Sequence, residues 1–185
     1  MREDAPRILV AGLGNIFLGD DGFGVEVVRT LWERPPRPGV RIIDFGIRGL
    51  DLVEALLDGY DLTILVDAAR RGGAPGTLYT LVPEVPPEPP EELEAHGMDP
   101  SNVLALVMAL GVDPGRLLVV GCEPSPDLPE EDPASISLGL SEPVARAVAP
   151  AAARVNALIQ SWILEHGTLV AVPAPSGRRD GGSPR

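Results

Sequence analysis

Residues 8–28 read "ILVAGLGNIFLGDDGFGVEVV", and this stretch determines how the rest of the chain is interpreted. Residues 7–12 form a short apolar run that ends in glycine, which is typical of a buried parallel strand. Residues 24–34 carry apolar side chains at helical spacing and predict a helix. A glycine turn and two adjacent acids, Asp20 and Asp21, lie between them. The order strand, glycine loop, helix is typical of sheets that bind ligands beyond the carboxyl ends of their strands.

The alternation of strands and helices continues along the chain. The pattern predicts further strands at 40–46, 61–69, 76–83 and 116–124, and helices at 49–59, 100–111 and 142–166. The strand at 76–83 is expected at an edge, where it could run antiparallel, and Pro150 is expected to kink or split the last helix. This order predicts a three-layer α/β fold with a twisted, mostly parallel sheet flanked by helices on both faces. We expect one domain over 1–170 and a disordered tail over 171–185.

Composition limits the classes of partner. The chain has 185 residues and a formal net charge of −12, and all its basic residues are arginines. Nucleic acid would repel such a chain, whereas a basic partner protein or a metal ion would suit it. A single cysteine excludes an internal disulfide, and no apolar run is long enough to span a bilayer. We therefore expect a cytoplasmic monomer that binds neither nucleic acid nor membrane.

The glycine loop does not match a phosphate site. Dinucleotide binding requires a third glycine close behind the second, so that a helix begins at the pyrophosphate. Here Gly12 and Gly14 are followed by Asn15 and a longer loop, and the helix is expected to begin near Gly24. The adjacent acids would repel a phosphate, and no lysine follows as in a P-loop. They favour a cation, although one of them could simply cap the helix.

Three side chains form a candidate metal set. Asp67 ends an apolar strand, where a carboxylate needs solvent, a hydrogen bond or a cation to offset desolvation. By position it would face the same crevice as the loop that carries Asp21. His96 follows the proline-rich residues 85–92, and His166 lies too near the tail to join the acids. A lone loop histidine is usually structural or solvated, but two carboxylates and one imidazole suit zinc, nickel or iron.

A nucleophile is harder to identify than a metal set. Cys122 ends a strand, and no neighbouring residue marks it as an activated thiol. The serines near residues 135–141 lack the glycine-flanked turn of a hydrolase nucleophile, and two histidines offer no obvious triad. Asp20 and Asp21 are adjacent, so their side chains tend to diverge instead of forming a carboxylate dyad. The attacking group is left open.

Four segments, in this order, resemble one known family. They are "ILVAGLGNIFLGDDGFGVEVV", "IIDFGIRGLDL", "ILVDAA" and "HGMDPSNVLAL". Together they resemble the hydrogenase maturation proteases, endopeptidases that remove the C-terminal extension of the nickel–iron hydrogenase large-subunit precursor. The resemblance covers residues 7–164. It implies a twisted, mostly parallel sheet flanked by helices, in agreement with the pattern of elements.

The resemblance also implies roles for individual residues. The family's metal-recognition acid, aspartate and histidine match Asp21, Asp67 and His96. Some members have glutamate at the first position, so the shorter Asp21 would need a closer metal or a shifted loop. The family's first-loop and substrate-cleft residues match Asn15, Asp20, Asp44, Gly46 and Gly49. The proline-rich residues 85–92 depart from the pattern, and they could either place His96 on a mobile loop or be a neutral insertion.

The family relation further implies that the metal arrives with the substrate. Nickel already loaded in the precursor would mark it as ready for cleavage, and the protease would then need no permanent cofactor. A non-cleaving chaperone that checks nickel loading would use the same three residues, so this alternative stays open. A nucleotide-binding regulator built on the glycine turn is a third hypothesis.

Overall fold

Strands and helices alternate through the described part of the chain, which comprises residues 6–83, 100–126 and 136–166 of the computed structural model. The strands are β1 (Ile8–Leu13), β2 (Val40–Gly46), β3 (Leu62–Ala68), β4 (Leu78–Leu81) and β5 (Arg116–Cys122). The helices are α1 (Phe23–Trp32), α2 (Gly49–Leu57), α3 (Pro100–Ala109) and α4 (Glu142–His166). A short 3-10 turn, Gly19–Gly22, precedes α1. The predicted strands and helices are confirmed, with ends that differ by a few residues.

The five strands form one sheet in the order β2-β1-β3-β5-β4. Strands β1, β2, β3 and β5 are parallel, and β4 pairs antiparallel with β5 at the edge. The three-layer, mostly parallel α/β prediction is therefore confirmed, as is the antiparallel edge strand. Because the parallel strands run in one direction, the loops that follow β1, β2 and β3 emerge at the same end of the sheet.

Helices cover both faces of the sheet. Side chains alternate along β1, so that Ile8 and Val10 face one layer while Leu9 and Ala11 face the other. The first layer contains α1 and α4, and its buried side chains include Phe23, Val27, Ala151, Val155 and Ile159. The second contains α2 and α3, and its buried side chains include Leu52, Leu56, Val103, Leu104 and Val107. Burial on both faces explains why the strands are almost continuously apolar.

Glycines allow α1 to begin directly against the sheet. A Cβ placed on Gly24 would lie 2.1 Å from the carbonyl oxygen of Val66 and 2.4 Å from that of Leu13. A Cβ on Gly12 would in turn lie 2.6 Å from the carbonyl oxygen of Gly24. No side chain fits at these separations, so the two glycines set the distance between α1 and strands β1 and β3.

Pro150 was expected to kink or split the last helix; the split is wrong, and the kink stays a prediction. Helix α4 continues without interruption from Glu142 to His166, with Pro150 inside it. Proline removes one helical hydrogen bond, that to the carbonyl of Arg146, but both residues are on the exposed side of the helix. Water can solvate that carbonyl, while Ala151 and Val155 on the other side are fully buried. Packing of the buried side therefore outweighs the cost of the proline.

Some expectations concern residues outside those described. The proline-rich residues 85–92 and the tail at 171–185 both lie there, so their predicted character stays a prediction. The single domain expected over 1–170 likewise stays a prediction. Within the described ranges, none of the helices combines the length and the apolar character that crossing a membrane requires.

We predict that Gly24→Ala destabilises the fold by about 3 kcal/mol or more, because the new methyl group must push α1 away from β1 and β3. Urea unfolding followed by tryptophan fluorescence measures this change. Gly59→Ala is the matched control, since Gly59 has a φ of +74° but no atom near its missing Cβ. It should cost only the backbone strain, about 1 kcal/mol. Equal losses in the two variants would contradict the steric explanation.

Candidate functional site

The loop after β1 and the ends of β2 and β3 meet at one edge of the sheet. Gly12 pairs with Asp44 of β2 on one side and with Val66 of β3 on the other. Asp67 is the next residue of β3, and it pairs with Gly121 of β5. The 3-10 turn that carries Asp20 and Asp21 packs against β3. The structure thus brings the acids of the first loop, Asp44 and Asp67 to the same end of the molecule.

Backbone hydrogen bonds shape the first loop. Gly14 has a φ of +112°, and its N–H donates to the carbonyl of Gly46 at 3.0 Å. The side-chain oxygen of Asn15 accepts from the N–H of Phe17 at 3.0 Å, and the Asn15 carbonyl accepts from the N–H of Leu18. Asn15 therefore closes the turn with both its side chain and its backbone. Gly46 supports the turn from β2.

Asp21 folds back over the glycine turn. Its Oδ2 accepts a hydrogen bond from the backbone N–H of Asn15 at 2.5 Å. A Cβ on Gly14 would lie only 1.8 Å from the Asp21 carbonyl oxygen, so glycine is required there. The carboxylate of Asp21 accepts the hydrogen bond of an N–H group that would bind a phosphate in a nucleotide site. This arrangement gives a physical reason against the nucleotide-binding hypothesis.

Asp67 lies at the end of β3 and is half-buried. Its Oδ1 accepts from the N–H of Ala68 at 2.8 Å. The third predicted ligand, His96, lies outside the described residues. Within residues 6–83, 100–126 and 136–166, no three acid, histidine or cysteine side chains are grouped as a metal site would require. The set of Asp21, Asp67 and His96 therefore stays a prediction, with two members at one edge of the sheet.

Asp20 differs from its neighbour in being almost completely buried, with 2% of its surface exposed. Its carboxylate accepts from the N–H of Ser125 at 2.8 Å, and from the N–H and hydroxyl of Ser141 at 2.6 and 2.8 Å. Burial opposes ionisation of Asp20, but these hydrogen bonds outweigh it and lower the pKa. Asp20 thus ties the first loop to β5 and to α4, which begins just after Ser141. A part in substrate binding stays a prediction.

The residues predicted for the substrate cleft lie at the end of β2. Gly46, with a φ of +55°, directs its carbonyl to Gly14, and Gly49 is buried at the start of α2. The backbone carbonyl of Asp44 accepts from the Arg48 guanidinium. In the described part of the chain, no hydrogen bond or ion pair engages the half-buried carboxylate of Asp44. This acid is therefore available at the rim of the site, and its substrate role stays a prediction.

A second buried acid, Glu123, was not identified from the sequence. Its carboxylate accepts from the N–H groups of Arg71 and Gly72 at 2.8 and 3.1 Å, and from the Tyr79 hydroxyl at 2.7 Å. Burial opposes its ionisation, but the bonds from Tyr79 and the loop N–H groups outweigh burial and lower its pKa. The signal that could have revealed it is an acid directly after a buried strand, as for Asp67. Glu123 holds the loop after β3 in place.

Comparison with known proteins identifies the family. A family model described as hydrogenase maturation protease matches residues 25–158. The chain belongs to the hydrogenase maturation proteases. The hydrogenase expression/formation protein HupM of Azotobacter chroococcum is 34% identical over 91% of this chain and 77% of its own length. The hydrogenase 2 maturation protease of Escherichia coli is 31% identical over 83% of this chain and 91% of its own length.

Solved structures agree with this assignment. The hydrogenase maturating endopeptidase HybD of Escherichia coli superposes with a TM-score of 0.66 at 30% identity, over 84% of this chain and 93% of that one. The maturation protease HycI of Thermococcus kodakarensis superposes with a TM-score of 0.63 at 25% identity, over 85% and 95%. The predicted family, fold and peptidase activity are thereby confirmed.

The only cysteine of the protease is not an activated nucleophile. Cys122 is fully buried at the end of β5. Burial, reinforced by the nearby negative charge of Asp20, raises its pKa to about 12. A thiol in this state has almost no thiolate at neutral pH and no access to a peptide.

We predict that Asp20→Asn lowers the free energy of unfolding by about 2 kcal/mol at pH 7, because the amide cannot accept all the bonds from Ser125 and Ser141. The folded-state pKa of Asp20 is lowered from its ordinary value of 3.8. The ionised carboxylate therefore stabilises the fold at pH values above 3.8. This contribution is lost as the pH falls through the lowered value. The difference between wild type and Asp20→Asn should therefore shrink below about pH 4. Urea unfolding at pH 7, 5 and 3 measures it.

Asp58→Asn is the control for this pH dependence. Asp58 is exposed and forms a surface ion pair with Arg41. Its removal should change stability by less than about 1 kcal/mol. A gap between wild type and Asp20→Asn that stays constant down to pH 3 would contradict the assigned role of the Asp20 charge.

We predict that Cys122→Ala retains peptidase activity and costs about 1 kcal/mol in stability, since only a small buried side chain is shortened. Native protease should also react with iodoacetamide far more slowly than protease unfolded in urea, as mass spectrometry would measure. Loss of cleavage in a folded Cys122→Ala protein would show that the thiol takes part in the reaction.

Proposed function

We propose that this protease removes the C-terminal extension from a nickel-loaded precursor of the nickel–iron hydrogenase large subunit, and that it recognises the bound nickel. The observation that carries this proposal is the placement of Asp21 and Asp67 at one edge of the sheet, where the first loop packs against β3. The names protease and endopeptidase among the relatives support cleavage over a non-cleaving chaperone.

The chemistry of the two acids suits a metal held by another protein. Two carboxylates provide oxygen ligands, and His96, which follows them in the chain, would supply the nitrogen that nickel accepts readily. Three protease ligands would complement those that the precursor already provides. The nickel is then part of the substrate, and the protease itself needs no permanent cofactor.

The loop geometry would prepare Asp21 for this task. The hydrogen bond from Asn15 holds its carboxylate in one orientation, so little side-chain freedom would be lost on binding. Bound in this way, the metal would position or polarise the scissile peptide, or a water molecule beside it. Asp44, at the rim of the same edge, would contact the precursor. The attacking group is not assigned.

The proposed substrate also determines the proposed protein partner and cellular compartment. The protein partner is the large-subunit precursor, and the protease would act on it as a monomer in the cytoplasm. Nucleic acid and membrane have no part in the proposal. The net charge of −12 agrees with the first of these exclusions.

We predict that Asp21→Asn, Asp67→Asn and His96→Ala each reduce cleavage of nickel-loaded precursor at least 100-fold, because each removes one proposed metal ligand. Mass spectrometry of the precursor C-terminus measures trimming. Circular dichroism confirms that each variant is folded. Nickel-free precursor should remain uncut by the wild-type protease.

Asp58→Asn is again the matched control, because it makes the same chemical change on an exposed helix end away from the loop. It should cleave like the wild type. Equal trimming of nickel-loaded and nickel-free precursor would refute metal recognition. No trimming of the loaded precursor by wild type would refute the endopeptidase proposal and favour the chaperone.

A further inference from the structure

A short strand pairing extends the first loop sideways. Ser137 donates its N–H to the carbonyl of Phe17 at 2.9 Å and accepts from the N–H of Gly19 at 2.8 Å. Leu18 and Ser137 thereby form a parallel bridge. Residues 136–138 therefore lie beside the loop that leads into Asp20 and Asp21. This pairing was not anticipated from the sequence.

The outer side of residues 136–138 has the properties of a sheet edge. Both backbone groups of Ser137 face the first loop, so those of its two neighbours in an extended chain point the other way. No backbone hydrogen bond joins Ile136 or Leu138 to another residue in the described ranges. Their side chains are 70% and 76% exposed. Exposed apolar residues on an unpaired edge attract a further strand.

A cleft with a mainly apolar lining adjoins this edge. It has a volume of about 430 Å³ and lies between the first loop, the start of α1 and the start of α4. Its lining residues are Ile16, Gly19, Gly22, Glu26, Gly139, Leu140, Ala145 and Val148. Gly19 and Gly22 lie on either side of the two acids of the loop. The cleft thus lies beside the turn that carries the two acids.

We propose that residues 136–138 and this cleft bind the precursor polypeptide next to its nickel-bearing end. An extended segment of the precursor adds as a strand along Ile136 and Leu138, and one of its apolar side chains enters the cleft. The inference rests on the proposed function, because it names how the same substrate is held. Backbone hydrogen bonds hold the segment, and the cleft selects the side chain.

Charge favours an uncharged, apolar occupant. Glu26 is the acid in the lining, and its carboxylate pairs with Arg29 at 2.5 Å. The other lining residues are glycines and aliphatic side chains. A charged side chain would lose part of its hydration in this cleft, and the acid of the lining is already paired with Arg29. An aliphatic or aromatic side chain gains from leaving water.

The test combines substitution with two measurements on nickel-loaded precursor. Ile136→Ser and Leu138→Ser, introduced together, remove the apolar contacts of the edge and leave Ser137 in place. Cleavage kinetics give KM and kcat separately, and biolayer interferometry gives the dissociation constant of the complex. Leu164→Ser is the control, since Leu164 is 84% exposed at the end of α4. Hydrogen exchange with and without precursor reports directly on the amides of residues 136–140.

We expect KM and the dissociation constant to rise about tenfold in the double variant, with kcat nearly unchanged and the control like wild type. Precursor should slow exchange at residues 136–140. Unchanged binding, or no protection of these amides, would overturn the inference even if wild type cleaves normally. If the wild-type protein binds the precursor without cleaving it, the proposed function fails. The binding and exchange data still decide whether residues 136–138 and the cleft hold the precursor. Protection that grows with protease concentration alone would instead identify a second copy as the occupant.

Discussion

The contact of α1 with the carboxyl ends of β1 and β3 is the constraint on which the site depends. Gly24 lies against the backbones of Leu13 and Val66 at a separation that admits no Cβ. Because the helix begins so close to the sheet, the residues between β1 and α1 must leave the edge and return to it. They do so through the Gly14 turn and the 3-10 turn, and this path brings two acids to the end of β3.

The two adjacent acids have different structural roles in the loop. Asp20 points inward, where serines from two other segments satisfy its charge, and it acts as an anchor. Asp21 stays half-buried and folds over the turn, where it accepts the N–H of Asn15. In a nucleotide-binding protein of similar topology, that N–H would serve the phosphate. Here the protein supplies the anion itself, so this N–H is not available to a phosphate.

Much of this arrangement was predictable from the sequence, because it depends on local patterns. Apolar runs that end in glycine or aspartate identified β1, β2 and β3, and parallel topology placed their ends together. The continuous α4 could not be predicted from Pro150, since the outcome depends on how the opposite side of the helix packs. The bonds of Glu123 to residues 71 and 72, and of Ser137 to the first loop, join segments far apart in the chain. Sequence periodicity carries no information about such contacts.

The anchoring of Asp20 has a consequence for how this fold can vary. Ser125 and Ser141 both bond to one carboxylate and to each other, although 16 positions separate them. The two ends of the intervening stretch are therefore clamped at a common point. Lengthening a loop whose ends are already fixed costs little free energy. Residues inserted between Ser125 and Ile136 would therefore leave the acids in place, whereas changes at residues 136–138 would alter the pairing of Ser137 with the first loop.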